Sequence, residues 1–163
     1  LYDTLTRLCA ALGMDGSEYR RLVAGSFLVS CDNAHAVHPN HGEFADRNHT
    51  ARMNGGVVIK YNANQRYTSD AVSAGIFRRI CESAGVPVQY YANRADMPGG
   101  STLGNISNTQ VSLNAVDIGL AQLAMHSPFE TAGAADTASL VKALTAFFEH
   151  SLVAERDGVY RFL

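Results

Sequence analysis

The sequence has little net charge and lacks any long apolar run. It contains 13 Lys and Arg against 15 Asp and Glu, a net charge of −2, so we expect no basic face for nucleic acid or anionic membrane. No apolar stretch approaches the roughly 20 residues that a membrane-spanning helix needs. Neither nucleic acid nor membrane is therefore expected as a partner.

Cysteine is also scarce. Cys9, Cys31 and Cys81 are widely spaced, and no C-x-x-C motif occurs. An odd number of cysteines without metal-binding spacing argues against a disulfide framework and against a zinc ribbon. We interpret the three as reduced, mostly buried thiols of a cytoplasmic protein.

Several common catalytic motifs are missing as well. The sequence has no P-loop, no G-x-G-x-x-G, no G-x-S-x-G and no H-E-x-x-H. Nucleotide binding and serine hydrolase chemistry therefore have no positive support.

What is present is the balance of a globular protein, with 47% hydrophobic and 17% charged residues in a chain of 163. The chain opens at Leu1 inside a helical pattern and without a signal peptide, which suggests a processed or truncated product. An artificial boundary would look the same. We see neither repeat nor linker and expect one domain over residues 1–163.

Helical and strand patterns alternate along the chain. The predicted strands are Phe27–Cys31, Val57–Tyr61, Pro87–Tyr91, Val111–Ile118 and Val159–Phe162. The predicted helices are Leu1–Ala11, Ser17–Ala24, one capped by Thr68 or Ser69 and stopped by Gly85, Gly104–Asn108, and one capped by Asp136 or Thr137. This alternation predicts an α/β fold in which a sheet is flanked by helices.

The first candidate site follows the first strand. Asp32 stands where the strand ends, the position at which open α/β sheets place ligands, although an Asp there can also simply cap a turn. His35 and His38 follow in a long polar loop and are either metal ligands or solvated side chains. His126 lies beyond a second strand and would converge with Asp32 if both face one sheet edge; by itself it is weak evidence.

Other candidates are possible pocket walls. Lys60 lies inside an apolar strand, so it either extends to water or pairs with a substrate carboxylate. Arg66 and Tyr67 could belong to the same wall. The loop Gly99–Thr102 resembles a ligand-binding backbone loop, or is a plain turn.

Several of these pieces together resemble the M18 aminopeptidases, the aspartyl aminopeptidase family. The matching pieces occur in family order and are Asp32–Asn40, Asn48–His49, Gly56–Asn62, Asn64–Tyr67, Gly100–Gly104 and Gln122–Ser127. The resemblance covers about Phe27 to His150, most of the chain.

The resemblance implies a zinc exopeptidase with a two-metal site that removes one N-terminal residue, Asp or Glu by preference, from a peptide substrate. It implies that Asp32 ligates one metal and His126 the other. Manganese or cobalt could share such ligands.

The resemblance also implies the substrate contacts. His35 would touch the bound substrate and Lys60 would receive its acidic side chain. Tyr67 and the residues Gly100, Ser101 and Thr102 would line the pocket. For His38 we favour a supporting role, in which it would contact the metal ligands and not the metal.

The family site needs more than this chain contains. A further histidine, a bridging aspartate and a Glu-Glu pair that includes the general base are expected upstream, and no Glu-Glu pair occurs here. The inserted dimerisation domain is absent too. We therefore expect the C-terminal portion of a catalytic domain whose parent is a homo-oligomer, and we expect this polypeptide alone to be nearly inactive.

Two other hypotheses stay open. The chain could be a non-catalytic assembly module with an M18-like core. Alternatively, Asp32, His35 and His126 could rearrange into a mononuclear metal site.

Overall fold

The computed structural model describes residues 1–156 and 158–163 of the chain. Its helices are α1 (Tyr2–Ala11), α2 (Gly16–Ala24), α3 (Ala71–Ser83), α4 (Leu103–Asn108) and α5 (Ala134–Glu149). Its strands are β1 (Phe27–Cys31), β2 (Ala34–His35), β3 (Val57–Tyr61), β4 (Val88–Ala92), β5 (Asn114–Gly119), β6 (Ala121–Leu123), β7 (Thr131–Ala132), β8 (Leu152–Arg156) and β9 (Val159–Phe162). Sheets flanked by helices confirm the α/β fold class.

The main sheet has the strand order β1-β5-β3-β4. β1 runs parallel to β5, and β3 runs parallel to β4, whereas β3 and β5 are antiparallel. The two central strands are almost completely buried, including the charged residues Lys60 of β3 and Asp117 of β5. Their C-terminal ends therefore point in opposite directions.

Alternation along the central strands gives the sheet two different faces. Val57, Ile59, Val116 and Ile118 lie on one face, and together with residues of α3 and α5 they form the largest apolar core. The other face carries polar side chains, because Lys60 and Asp117 occupy the intervening positions. This second face supports the candidate site.

Two smaller sheets complete the fold. β2, β6 and β7 form a three-stranded sheet that continues from the ends of β1 and β5. β8 and β9 form an antiparallel hairpin that packs through Leu152, Tyr160 and Phe162 against α3 and α5. No helix among the described residues combines the length and the apolar character needed to traverse a bilayer.

Strands β1 and β3 lie where they were predicted, and β5 lies slightly later than the predicted Val111–Ile118. The long loop after β1 was predicted without structure, but it contains β2 and a short 3-10 helix, Gly42–Phe44. β2 was missed because two residues are too few for a periodic pattern.

The predicted cap of α3 is wrong. Asp70 caps this helix by accepting a hydrogen bond from the backbone N–H of Ser73 (2.7 Å). Thr68 and Ser69 lie before the cap position, and their hydroxyls donate to the carboxylate (2.9 Å) and the backbone oxygen (3.3 Å) of Asp117.

The predicted cap of α5 is wrong in a similar way. The helix begins after Gly133, and Asp136 lies within its first turn. The buried carboxylate of Asp136 accepts hydrogen bonds from the backbone N–H groups of Asn54 (2.6 Å) and Gly56 (2.8 Å). In return, the side-chain oxygen of Asn54 accepts from the N–H of Ala135 (3.1 Å), so each segment caps the other.

Candidate functional site

The small sheet brings the chain segments of Asp32 and His126 side by side. β2 begins two residues after Asp32, and β6 ends three residues before His126. The two strands are parallel, with Ala34 opposite Ala121 and His35 opposite Gln122. Two regions that are distant in sequence thus leave the main sheet at the same edge.

The turn that carries Asp32 is held from below. The buried ammonium group of Lys60, whose residue is only 1% exposed, donates to the backbone carbonyl oxygens of Asp32 (2.9 Å) and Asn33 (3.4 Å). The backbone of Asp32 also lies against Gly119, where an added Cβ would stand 1.8 Å from the Asp32 carbonyl oxygen. Only glycine leaves room for this crossing.

The side chain of Asn33 completes this anchor. It donates to the Oε1 atom of Gln122 (3.0 Å) and accepts from the backbone N–H of Leu120 (3.3 Å). The carboxylate of Asp32 remains exposed, with one oxygen accepting from the N–H of Asn33 (2.9 Å). A fixed backbone therefore presents an accessible carboxylate.

His126 lies in the loop between β6 and β7, and its backbone is in the left-handed region with φ of +66°. Ala124 is also left-handed, with φ of +54°. Such a conformation costs a residue other than glycine about 1–3 kcal/mol and persists only where neighbouring contacts enforce it. Here Glu130 provides such a contact, because its Oε1 atom accepts a 2.6 Å hydrogen bond from the backbone N–H of His126.

His35 follows Asp32 by three residues and lines a cavity. Burial, and after it the positive charges of His126 and Lys60, lower the pKa of His35. His35 is thus held towards its neutral form, in which one ring nitrogen can accept a hydrogen bond.

The cavity next to His35 has a volume of about 310 Å³. It is lined by His35, Ala36, His38, His41, Phe44, Ala45, Tyr91, Ala92, Asn93, Arg94, Met97, Pro98, Gln122, Leu123 and Ala124. Its wall is closed by Arg94, which donates to the backbone oxygen of Glu43 and pairs with Asp96 (2.7 Å). His38 lies in this wall, and its Nδ1 atom accepts from the N–H of Asn40 (3.2 Å).

Lys60 and Tyr67 do not belong to this cavity wall. The Lys60 nitrogen lies 4.9 Å from the centre of the Tyr67 ring, beneath the Asp32 turn. Burial raises the pKa of Tyr67 to about 12 and lowers the pKa of Lys60, although Asp117 and Asp32 act in the opposite direction on the lysine. In this structure the ammonium group of Lys60 is bonded to the backbone of the Asp32 turn.

Asp117 was not singled out from the sequence, yet it organises the polar face of the sheet. Its buried carboxylate accepts from the backbone N–H and the hydroxyl of Thr68 (2.6 and 2.9 Å) and from the hydroxyl of Thr102 (2.7 Å). Two predicted pocket segments, at Tyr67 and at Thr102, are therefore tied to one strand. The sequence feature that could have identified Asp117 is an acidic residue between the apolar residues Val116 and Ile118.

The loop before α4 is held through Thr102 and remains open elsewhere. The hydroxyl of Ser101 donates to the Oδ1 atom of Asn105 (2.7 Å), and Ser101 is exposed. An added Cβ at Gly100 would meet nothing within 4 Å. These backbone groups are accessible, whereas the Thr102 hydroxyl is already engaged.

The donor types at Asp32 and His126 suit zinc, which takes carboxylate and imidazole ligands. Their number does not suffice: among residues 1–156 and 158–163, no three His, Cys, Asp or Glu side chains are grouped to hold a metal. A catalytic zinc usually has three protein ligands. The mononuclear site from Asp32, His35 and His126 is therefore not assembled, and these residues form at most part of a site.

Comparison with known sequences gives one matching family model. The model of the aminopeptidase I zinc metalloproteases (M18) matches residues 1–148. A probable M18 family aminopeptidase 2 of Pseudomonas paraeruginosa is 50% identical over 137 residues, which make up 84% of this chain and 32% of that protein. The chain thus spans about a third of the length of the curated relatives it matches.

Solved structures with the same fold agree. A chain in the cryo-EM structure of the Ape4 and Nbr1 complex has a TM-score of 0.87 and 37% identity, covering 90% of this chain and 28% of that one. The S. cerevisiae mApe1 dodecamer has a TM-score of 0.72 and 28% identity, covering 80% of this chain and 28% of that one.

Proposed function

The chain belongs to the M18 family of zinc metalloproteases, and from this premise we propose that it forms the C-terminal part of an aminopeptidase catalytic domain. The complete enzyme would remove N-terminal residues, preferably Asp or Glu, from peptides by zinc-dependent hydrolysis. The observation that carries the proposal is the parallel pairing of β2 with β6, which sets the segments of Asp32 and His126 next to each other.

In this proposal Asp32 would ligate one zinc ion and His126 the other, while further ligands and the general base would come from outside the 163 residues. Zinc ions bound in such a site supply Lewis acidity and a nucleophilic hydroxide at neutral pH. Because the general base would lie outside these residues, we expect this polypeptide alone to be nearly inactive.

His35 would contact the substrate, since it lines the cavity and burial holds it towards the neutral form. His38 would support the site from the cavity wall. Tyr67, Gly100, Ser101 and Thr102 would shape the pocket. Ser101 is tied to Asn105 of α4 and Thr102 to Asp117. Lys60 would hold the Asp32 turn through its bond to the backbone carbonyl oxygen of Asp32. To receive the acidic side chain of a substrate, this buried ammonium group would have to leave the turn.

The proposed oligomeric state rests on a similar protein, and the proposed cellular location rests on the free cysteines. One similar structure is a dodecamer, which supports a homo-oligomeric complete enzyme. Cys9 and Cys81 are buried free thiols and Cys31 is an exposed one, in keeping with a reducing, cytoplasmic location.

A chimera tests the proposal most directly. The corresponding third of a complete, active M18 relative is replaced by this chain, and hydrolysis of an aspartyl amide and zinc content are measured. We expect zinc-dependent activity that falls at least 100-fold in Asp32→Ala and in His126→Ala. His150→Ala is the matched control, because that imidazole packs on Phe162 of the hairpin.

Two outcomes would contradict the proposal. A folded chimera that binds zinc and remains inactive would favour a non-catalytic assembly module. A chimera whose activity survives Asp32→Ala would remove that carboxylate from the reaction. The isolated 163-residue chain, assayed with added zinc, should show no turnover above the buffer.

A further inference from the structure

We propose that Glu130 is a positioning residue for His126: its carboxylate holds the loop between β6 and β7 in the left-handed backbone conformation that presents the imidazole to the site. The role of His126 in the reaction rests on the proposed function. The clamp itself rests on the backbone of this chain.

The ends of the loop are fixed by the sheet. β6 and β7 are antiparallel, with Leu123 opposite Thr131, so residues 124–130 must span a fixed gap. Two of these residues, Ala124 and His126, are left-handed without being glycine. A backbone of this kind does not maintain itself and needs contacts that enforce it.

The loop supplies three such contacts. The N–H of Ser127 donates to the carbonyl oxygen of Ala124 (3.0 Å), and the hydroxyl oxygen of Ser127 accepts from the N–H of Phe129 (3.0 Å). The first bond closes a turn that has His126 as its third residue, and the second closes a turn that follows it. The bond from the N–H of His126 to Glu130 (2.6 Å) ties the same left-handed residue to the residue that precedes β7.

This bond also differs in kind from the other two. A carboxylate accepting from a backbone N–H makes a charge-assisted hydrogen bond, which is shorter and stronger than a neutral one. Glu130 immediately precedes β7, so its backbone is anchored by the pairing of the next residue. The carboxylate thus connects the rigid strand with the residue that carries the imidazole.

The direction of the imidazole follows from this backbone. The φ of +66° at residue 126 sets the direction in which its Cβ, and with it the imidazole, leaves the chain. If the N–H of His126 lost its partner, the residue would relax to an extended or right-handed conformation, and the imidazole would turn away.

NMR spectroscopy of the 15N- and 13C-labelled 163-residue chain tests the clamp without zinc or substrate. The readouts are the carbon shifts and the amide–α-proton coupling of His126, which report φ, and the hydrogen exchange rate of its amide. We expect Glu130→Ala to abolish the left-handed signature and to accelerate exchange at residue 126 by about tenfold or more.

Two further variants separate a local clamp from a general loss of structure. Glu130→Gln keeps an acceptor oxygen, so it should restore the signature with intermediate exchange. In a His126→Gly background, Glu130→Ala should change exchange at residue 126 much less, because glycine adopts positive φ freely. Glu149→Ala, at the exposed end of α5, is the matched control and should change nothing in the loop.

The proposal is overturned if His126 keeps its left-handed signature and slow exchange in Glu130→Ala. It is also overturned if Glu130→Ala unfolds the chain and Glu130→Gln, once folded, shows a released loop. These outcomes are independent of the enzyme proposal. That proposal is contradicted instead if the chimera keeps its activity in His126→Ala. A clamp that holds in a chain where His126 has no catalytic role would leave the backbone inference intact.

Discussion

The ammonium nitrogen of Lys60 lies 2.9 Å from the backbone carbonyl oxygen of Asp32. A buried cation is therefore bonded to the turn that presents the carboxylate, and not to a second acidic side chain. Burial lowers the pKa of Lys60, and the carboxylate of Asp117, on the same face of the sheet, acts against this effect. The position of the Asp32 backbone therefore depends on its hydrogen bond from Lys60.

Lys60→Met should lower the free energy of unfolding by about 1–3 kcal/mol. The methionine fills a similar volume but leaves the carbonyl oxygens of Asp32 and Asn33 without their donor. Urea denaturation followed by circular dichroism measures the change. Lys142→Met, which replaces an exposed lysine of α5, should change stability by less than about 0.5 kcal/mol.

Gly119→Ala should destabilise the chain by about 3 kcal/mol or more, since the new Cβ would collide with the backbone of Asp32. The backbone fixes the position of the new Cβ, and the atoms that it meets are main-chain atoms of Asp32, so no rotamer change can relieve the clash. Gly75→Ala is the control. It lies in α3 with open space around its Cβ position and should stabilise the chain by about 0.5–1 kcal/mol. Equal effects at both positions in thermal unfolding would contradict the crossing described for Gly119.

Asp117→Asn should cost about 2–4 kcal/mol of unfolding free energy. The amide nitrogen would face donors from Thr68 or Thr102, and a buried hydrogen-bond network would be broken. In addition, the amides of the segment around Thr68 should exchange faster with solvent. Asp3→Asn on the surface of α1 serves as the control, and similar losses in the two variants would argue against the network.

The stability of the chain should fall between pH 10 and pH 12 through Tyr67. Because burial raises the folded-state pKa of Tyr67 to about 12, the unfolded chain ionises this residue first as the pH rises past 10. The contribution is fully present below pH 10 and amounts to about 2–3 kcal/mol lost by pH 12. Tyr67→Phe should flatten the stability profile over this window relative to the parent chain, whereas Tyr2→Phe at the exposed α1 should leave its slope unchanged.

Much of the fold could be predicted because its elements are periodic. β1 and β3 were found from short apolar runs between turn residues, and α1 from leucines repeated on one face. β2, β6 and β7 have two or three residues each, too few to show any period. Their pairing depends on how the main sheet directs the chain, which is tertiary information.

The site was predictable only in part for a related reason. Asp32 and His126 could be named from motifs, but Asp117 and Glu130 act through hydrogen bonds to backbone groups that no motif displays. The predicted caps failed on the same point. Thr68 and Asp136 both have side chains that would suit a helix cap, and both are engaged by partners about 50 and 80 residues away.

The contacts that anchor the Asp32 turn also set how the chain reaches its native state. Asn33 and Gln122 are 89 residues apart in sequence, and the parallel pair of β1 with β5 closes a loop of similar length. Closing such loops costs entropy before any strand pairing is gained, so contact order rises and folding slows. The helices can form early, whereas the segments of Asp32 and His126 come together late, with the centre of the sheet. Any polypeptide that docks beside these two residues would thus meet its complementary surface only after this chain has largely folded.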